Sequence, residues 1–131
     1  MNDLSEIIYV EKTVEIVHPA TKEPLGVSVT LMSPDDKRLE RIKTRIMDER
    51  LALEAKGKNF KADQINKNRD MILFRAMTGW EWFGDTSFEG EKPELNQLNV
   101  LKVFSKLPWF RSQIDESFSE LESFFNVTKS N

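Results

Sequence analysis

The sequence predicts an α+β fold, an N-terminal β-hairpin followed by a bundle of about four helices. Three observations carry that expectation. Two short runs of alternating β-branched residues stand close together near the N-terminus. Apolar spacing of three and four residues takes over from Leu39 onward, and glycines and prolines punctuate the helical part.

In the first run, Val14 and Ile16 alternate with Thr13 and Glu15. In the second, Val27, Val29 and Leu31 alternate with Ser28, Thr30 and Met32. Period-two patterning buries one face of a strand and wets the other. The segment between them, His18-Pro19-Ala20-Thr21-Lys22-Glu23-Pro24, has a proline near each end, so the pair reads as a hairpin with a long loop. The N-terminal segment 1–12 is expected to be loosely held, although Ile7, Ile8, Tyr9 and Val10 could add a short edge strand.

The switch to helix is abrupt. Ser33 is placed to cap the first helix, Pro34 to occupy its first position, and Asp35 and Asp36 to face its exposed amides. Leu39, Ile42, Ile46 and Leu53 then recur at helical spacing, Met47 broadens the stripe, and Gly57 stops it. A second helix is expected from Asn59 to Thr78, ended by Gly79, with Ile65, Met71, Ile72, Leu73, Phe74 and Ala76 on its apolar side. Pro93 is placed to open a third helix carrying Leu95, Leu98, Leu101 and Phe104. Pro108 interrupts it and opens a fourth, on which Ile114, Phe118, Leu121 and Phe125 form one stripe. A single domain over residues 13–126 follows, with a polar, fraying tail at 127–131.

Composition narrows the function classes. A chain of 131 residues with 39% hydrophobic and 31% charged residues is long enough for one modest core and unlike a disordered chain. The absence of cysteine removes disulfides, thiolate zinc sites and cysteine nucleophiles together, and fits a reducing compartment. Asp3 and Glu6 stand where a secretory signal would carry lysines, and no run approaches the roughly 18 apolar residues of a membrane helix. A soluble intracellular protein with no membrane partner is the expectation.

Groups able to do chemistry are scarce. The one histidine, His18, lies in the hairpin loop with no partners grouped around it. The five glycines are too scattered for a phosphate-binding loop. Asp85, Glu89, Glu91 and Glu94 gather around one loop but lack the oxygen-ligand spacing of a calcium loop. The sequence therefore predicts no catalytic residue, no cofactor site and no metal site, and a protein that is not an enzyme.

Two features could carry binding. Residues 37–75 hold twelve Lys or Arg against six Asp or Glu, inside a chain of net charge −3. A basic helix over 37–56 would suit a nucleic-acid-binding regulator, but Glu40, Asp48 and Glu49 interrupt it and no aromatics interleave, so a solvated helix face is favoured. Aromatic residues cluster at element ends: Trp80, Trp82 and Phe83, then Trp109 and Phe110, then Phe124 and Phe125. Most should be core, yet a chain this small need not bury them all, so all seven stand as candidates for partner binding. Trp80 and Trp82 would point to the same side of an extended segment, with Phe83 to the other.

The order of several motifs resembles the tail assembly chaperones of tailed bacteriophages. They are Val17-His18-Pro19-Ala20-Thr21-Lys22-Glu23-Pro24-Leu25-Gly26-Val27, Ser33-Pro34-Asp35-Asp36, Gly79-Trp80-Glu81-Trp82, the stretch 93–99, Leu107-Pro108-Trp109-Phe110-Arg111-Ser112-Gln113-Ile114-Asp115 and Phe124-Phe125-Asn126. The resemblance covers about residues 13–126. It departs in the loop, where Lys22 stands at a position that is often glycine, which questions the turn type there. The resemblance implies a chaperone in the host bacterial cytoplasm that binds the tape-measure protein, keeps it soluble, helps recruit tail-tube protein and is not retained in the virion. It transfers no catalytic residues and leaves homo-oligomerisation open. A structural tail or head–tail component is the alternative within the same setting.

Overall fold

The computed structural model describes residues 11–129, with side chains through residue 123. The edge strand expected at 7–10 and the side chains of Phe124 and Phe125 lie outside the described residues. Within them the α+β class holds, and the hairpin forms as its alternation predicts. Strands β1 (Lys12–Val17) and β2 (Pro24–Leu31) pair antiparallel, with Val14 opposite Val29 and Ile16 opposite Val27.

The loop joining these strands is organised by His18, whose Nδ1 accepts from the N–H groups of Ala20 and Thr21 at 3.1 and 3.2 Å. Lys22 sits at φ 64. The left-handed corner is thus kept without glycine, at about 1–2 kcal/mol.

The second helix ends earlier than its apolar run suggests. α2 (Ala62–Ala76) stops at Ala76, and Met77–Trp82 forms a third strand, β3, on the other side of β2. Val29 lies opposite Trp80 and Val27 opposite Trp82, while Gly79 lies mid-strand opposite Thr30 and does not stop a helix. The Met32 N–H donates to the Ala76 carbonyl at 2.8 Å, where the helix hands over to the sheet. A register shift at Thr30/Leu31 lets buried Met77 face Leu31. An open edge of β2 with a buried face outweighs one more helical turn here.

Three helix starts move as well, α2 beginning at Ala62 and not at Asn59. Ser33 caps a turn instead of a helix: its Oγ accepts from the Asp35 N–H at 3.2 Å and its carbonyl from the Asp36 N–H at 3.0 Å. Asp36 then caps a short 3-10 turn (Lys37–Leu39), and α1 (Glu40–Ala55) follows. The Arg38 guanidinium forks onto Asp36 and holds its carboxyl below the usual carboxylate range. Pro93 and Leu95 lie in a loop, and Asn96 caps α3 (Gln97–Lys106) by accepting from the Asn99 N–H at 2.8 Å. α4 (Pro108–Lys129) opens at Pro108 as predicted, and its backbone stays helical through Lys129.

Gly57 does end α1 as expected. It adopts φ 72, the Lys58 N–H reaches the Leu53 carbonyl at 2.8 Å, and the Gly57 N–H reaches Glu54 at 2.9 Å.

One core unites these elements. Ile16, Val29 and Leu31 from the sheet pack with Leu73 of α2, Val100 and Val103 of α3, and Phe110, Ile114 and Phe118 of α4. Gln113 seats α4 on the end of β1, accepting from the Val17 N–H at 2.9 Å and donating to its carbonyl at 2.8 Å. Arg69 of α2 donates to Asp115 and Glu122 of α4 at 2.8 Å each, with its guanidinium 5.2 Å above the Phe118 ring. Of α1, only Ile42 is buried.

Candidate partner-binding site

α1 continues past the core with its apolar residues uncovered. Met47 is 50% exposed and Leu51 54% on α1, and Ile65 of α2 is 54% exposed. A groove of about 470 Å³ runs beside these helices, lined by Ile46, Phe60, Ile65 and Ile72, with Arg50 and Asn68 among its polar members. Asn68 accepts from the Gln64 side chain at 3.0 Å, while its own Nδ2 is buried with no partner. An unused buried donor costs about 1–3 kcal/mol, a cost that an acceptor on an occupant would offset.

Periodicity assigned Leu39, Ile42, Ile46 and Leu53 to a single core-facing stripe. The structure buries Leu39 and Ile42 and leaves Ile46 and Leu53 half-buried. Met47 and Leu51, four residues apart and off that stripe, form a second apolar line. That second line was the signal available in the sequence, where Met47 passed for a broadening of the core face.

The predicted aromatic candidates separate into three groups. Trp80, Trp82, Trp109 and Phe110 come together: Trp80 meets Trp82 edge-on at 5.5 Å, Trp82 stacks on Phe110 at 6.0 Å, and Trp109 meets Phe110 at 6.2 Å. Phe110 is fully buried, so it serves the core and offers no contact surface. Trp80, Trp82 and Trp109 are half-buried. Both β3 tryptophans lie opposite inward-facing valines of β2, on the same side as expected for an extended segment, and that side is the covered one. Trp80 Nε1 donates to the Pro93 carbonyl at 3.1 Å and fastens the loop before α3, whereas Trp82 Nε1 is buried without a partner. Phe83, just past β3, is 51% exposed. Phe124 and Phe125 form the third group, outside the described side chains.

Of the remaining chemical candidates, His18 and Glu89 are held by structural bonds. His18 is committed to its loop. Glu89, Glu91 and Glu94 border one hollow that Asp85 does not line, and no group of three or more His, Cys, Asp or Glu among the described residues is placed to hold a metal ion. Glu89 instead binds Lys102, at 2.7 Å, and Lys106 of α3. These two ammonium groups, Lys102 first, hold its carboxyl down at about 2. Among the described residues no helix is long and apolar enough to cross a membrane.

Exposed or half-buried apolar side chains thus line the groove between α1 and α2, stand alone at Phe83 and at Leu98 of α3, and include the tryptophans at the sheet. Compared with protein-family models, curated proteins and solved structures, the chain matches none of them.

Proposed function

We propose that this chain is a tail assembly chaperone of a tailed bacteriophage. It binds the tape-measure protein in the host cytoplasm, keeps it soluble, helps recruit tail-tube subunits and leaves before the virion is complete. The order of motifs over residues 13–126 supports the setting, and one structural observation supports the activity. That observation is the groove beside α1 and α2, lined by Ile46, Phe60, Ile65 and Ile72, with Ile65 half exposed.

A long helical client displays apolar stripes that aggregate when left bare. A helix-bounded apolar groove accepts one such stripe at i, i+3, i+4 and i+7 spacing. Covering side chains that are only half exposed gains modest apolar area at each site, near 25 cal/mol per Å². Modest gains suit a partner that must later be released to the tube subunits.

Co-expression with the tape-measure protein of the same phage tests this reading. The expected result is that the tape-measure protein becomes soluble and copurifies. Persistent precipitation with nothing copurifying contradicts it. Mass spectrometry of purified virions separates the alternative, since stoichiometric retention would make the chain a structural tail component.

A further inference from the structure

We propose that a second site, at the base of the α1–α2 pair, binds the phosphate backbone of nucleic acid. Lys37, Arg38, Arg41, Arg45 and Arg75 surround a hollow of about 460 Å³, whose remaining lining residue is Ile42. Lys37 and Arg38 come from the 3-10 turn, Arg41 and Arg45 from successive turns of α1, and Arg75 from the last turn of α2. Four of them come from one stretch of sequence, and the fold adds Arg75.

Charge pairing distinguishes the arginines of this hollow from the other arginines of the chain. Arg50, Arg69 and Arg111 are each held by a carboxylate. In the hollow Arg38 is forked by Asp36. Among the described residues no carboxylate lies within ion-pair distance of Lys37, Arg41, Arg45 or Arg75. Glu40 and Asp48 stand on neighbouring turns of α1 but do not line the hollow. Like charges held within a Debye length repel, and an anion offsets that repulsion.

The character of the lining decides which anion. Four of the five cations are arginines, whose planar forks match phosphate oxygens two at a time. An acidic protein segment would need apolar contact around its charges, and here the one apolar member, Ile42, is itself buried. Nucleic-acid binding draws chiefly on charge and counterion release, which the hollow supplies. No aromatic ring or side-chain amide lines it, so bases are neither stacked nor read and binding is independent of sequence. This site stands apart from the apolar groove and does not depend on the chaperone reading.

Fluorescence anisotropy of the full chain with a labelled oligothymidine about 20 nucleotides long tests the proposal. Binding is expected at about 50 mM salt, falling with a log–log slope of about −2 to −3.5 for three to five neutralised phosphates. Arg41→Gln, Arg45→Gln and Arg75→Gln should each shallow that slope by about 0.7, and the triple variant should lose about tenfold or more in affinity. Lys12→Gln, whose lysine already pairs with Glu120, should bind as the parent does. Arg41, Arg45 and Arg75 are exposed, and the single variants carry the test if the triple variant does not fold. Absence of binding at low salt, or equal binding by parent and single variants, overturns the proposal. So does displacement of the oligonucleotide by polyglutamate at equal charge, which would give the hollow to an acidic protein.

Discussion

Gly26→Ala probes the contact that ties the hairpin to the loop after β3. Gly26 lies at φ 84, and a Cβ there would stand 2.6 Å from Thr86 Oγ1 and 3.4 Å from the Phe83 carbonyl oxygen. Thr86 Oγ1 donates to the Leu25 carbonyl at 2.6 Å, and the Phe83 N–H donates to the Gly26 carbonyl at 2.7 Å. The left-handed backbone costs a residue with a Cβ about 1–2 kcal/mol. Displacing Thr86 and losing its hydrogen bond adds about 1–2 kcal/mol. The sum, about 2–4 kcal/mol, is a large part of the roughly 5–15 kcal/mol that stabilises a domain. In equilibrium urea unfolding, with a slope near 2 kcal/mol/M, the midpoint should fall by about 1–2 M. Thr86→Ala removes the obstructing hydroxyl, so Gly26→Ala on that background should cost only about 1–2 kcal/mol, the backbone share. A loss below about 0.5 kcal/mol, or the same loss on both backgrounds, contradicts a close contact between Gly26 and Thr86.

Two further predictions concern charges. Arg69→Met should cost about 1.5–3 kcal/mol in urea unfolding, because it leaves the Asp115 and Glu122 carboxylates of α4 without their shared cation; a change under about 0.5 kcal/mol contradicts that role. Arg69→Lys should recover only part of the loss, since one ammonium cannot reproduce the fork to Asp115, Ser119 and Glu122. For Glu89, the folded carboxyl titrates at about 2, below its unfolded value of about 4.3, so its stabilisation is present above the unfolded pKa. It is lost as pH falls from there towards 2. Urea midpoints measured from about pH 5 down to 2 should therefore fall more steeply for the parent than for Glu89→Gln, and salt should narrow the difference; parallel curves contradict the assignment.

The hairpin was legible because Val14, Ile16, Val27 and Val29 alternate cleanly and one face of the sheet is buried. β3 was not, because the apolar run through Met71–Met77 suits a buried helix as well as a strand. Which it becomes at Met77 depends on the open edge of β2, a partner some 45 residues away that local pattern does not reveal. Similarly, Pro93 can open a helix, yet Asn96 takes that role because its side chain caps Asn99 while Trp80 holds the Pro93 carbonyl in the loop.

The candidate sites show the same division. The sequence identified the aromatic clusters as clusters, but whether Trp80 and Trp82 face solvent was set by their pairing with inward-facing valines. Helical spacing grouped the apolar residues of α1, yet spacing says which residues share a face and not whether that face is covered. The basic residues of α1 were plain, whereas Arg75, which completes their hollow, joins only through the fold.

If the groove beside α1 and α2 holds the client, Ile65→Glu should abolish its capture. Ile65 lines the groove and is half exposed, so the substitution should leave stability within about 0.5 kcal/mol of the parent while placing a charge in the apolar lining. Co-expressed with the tape-measure protein, the parent should keep it soluble and copurify with it, and the equally stable variant should not. If Ile65→Glu folds as well as the parent and solubilises the tape-measure protein equally, the groove is not where the client binds.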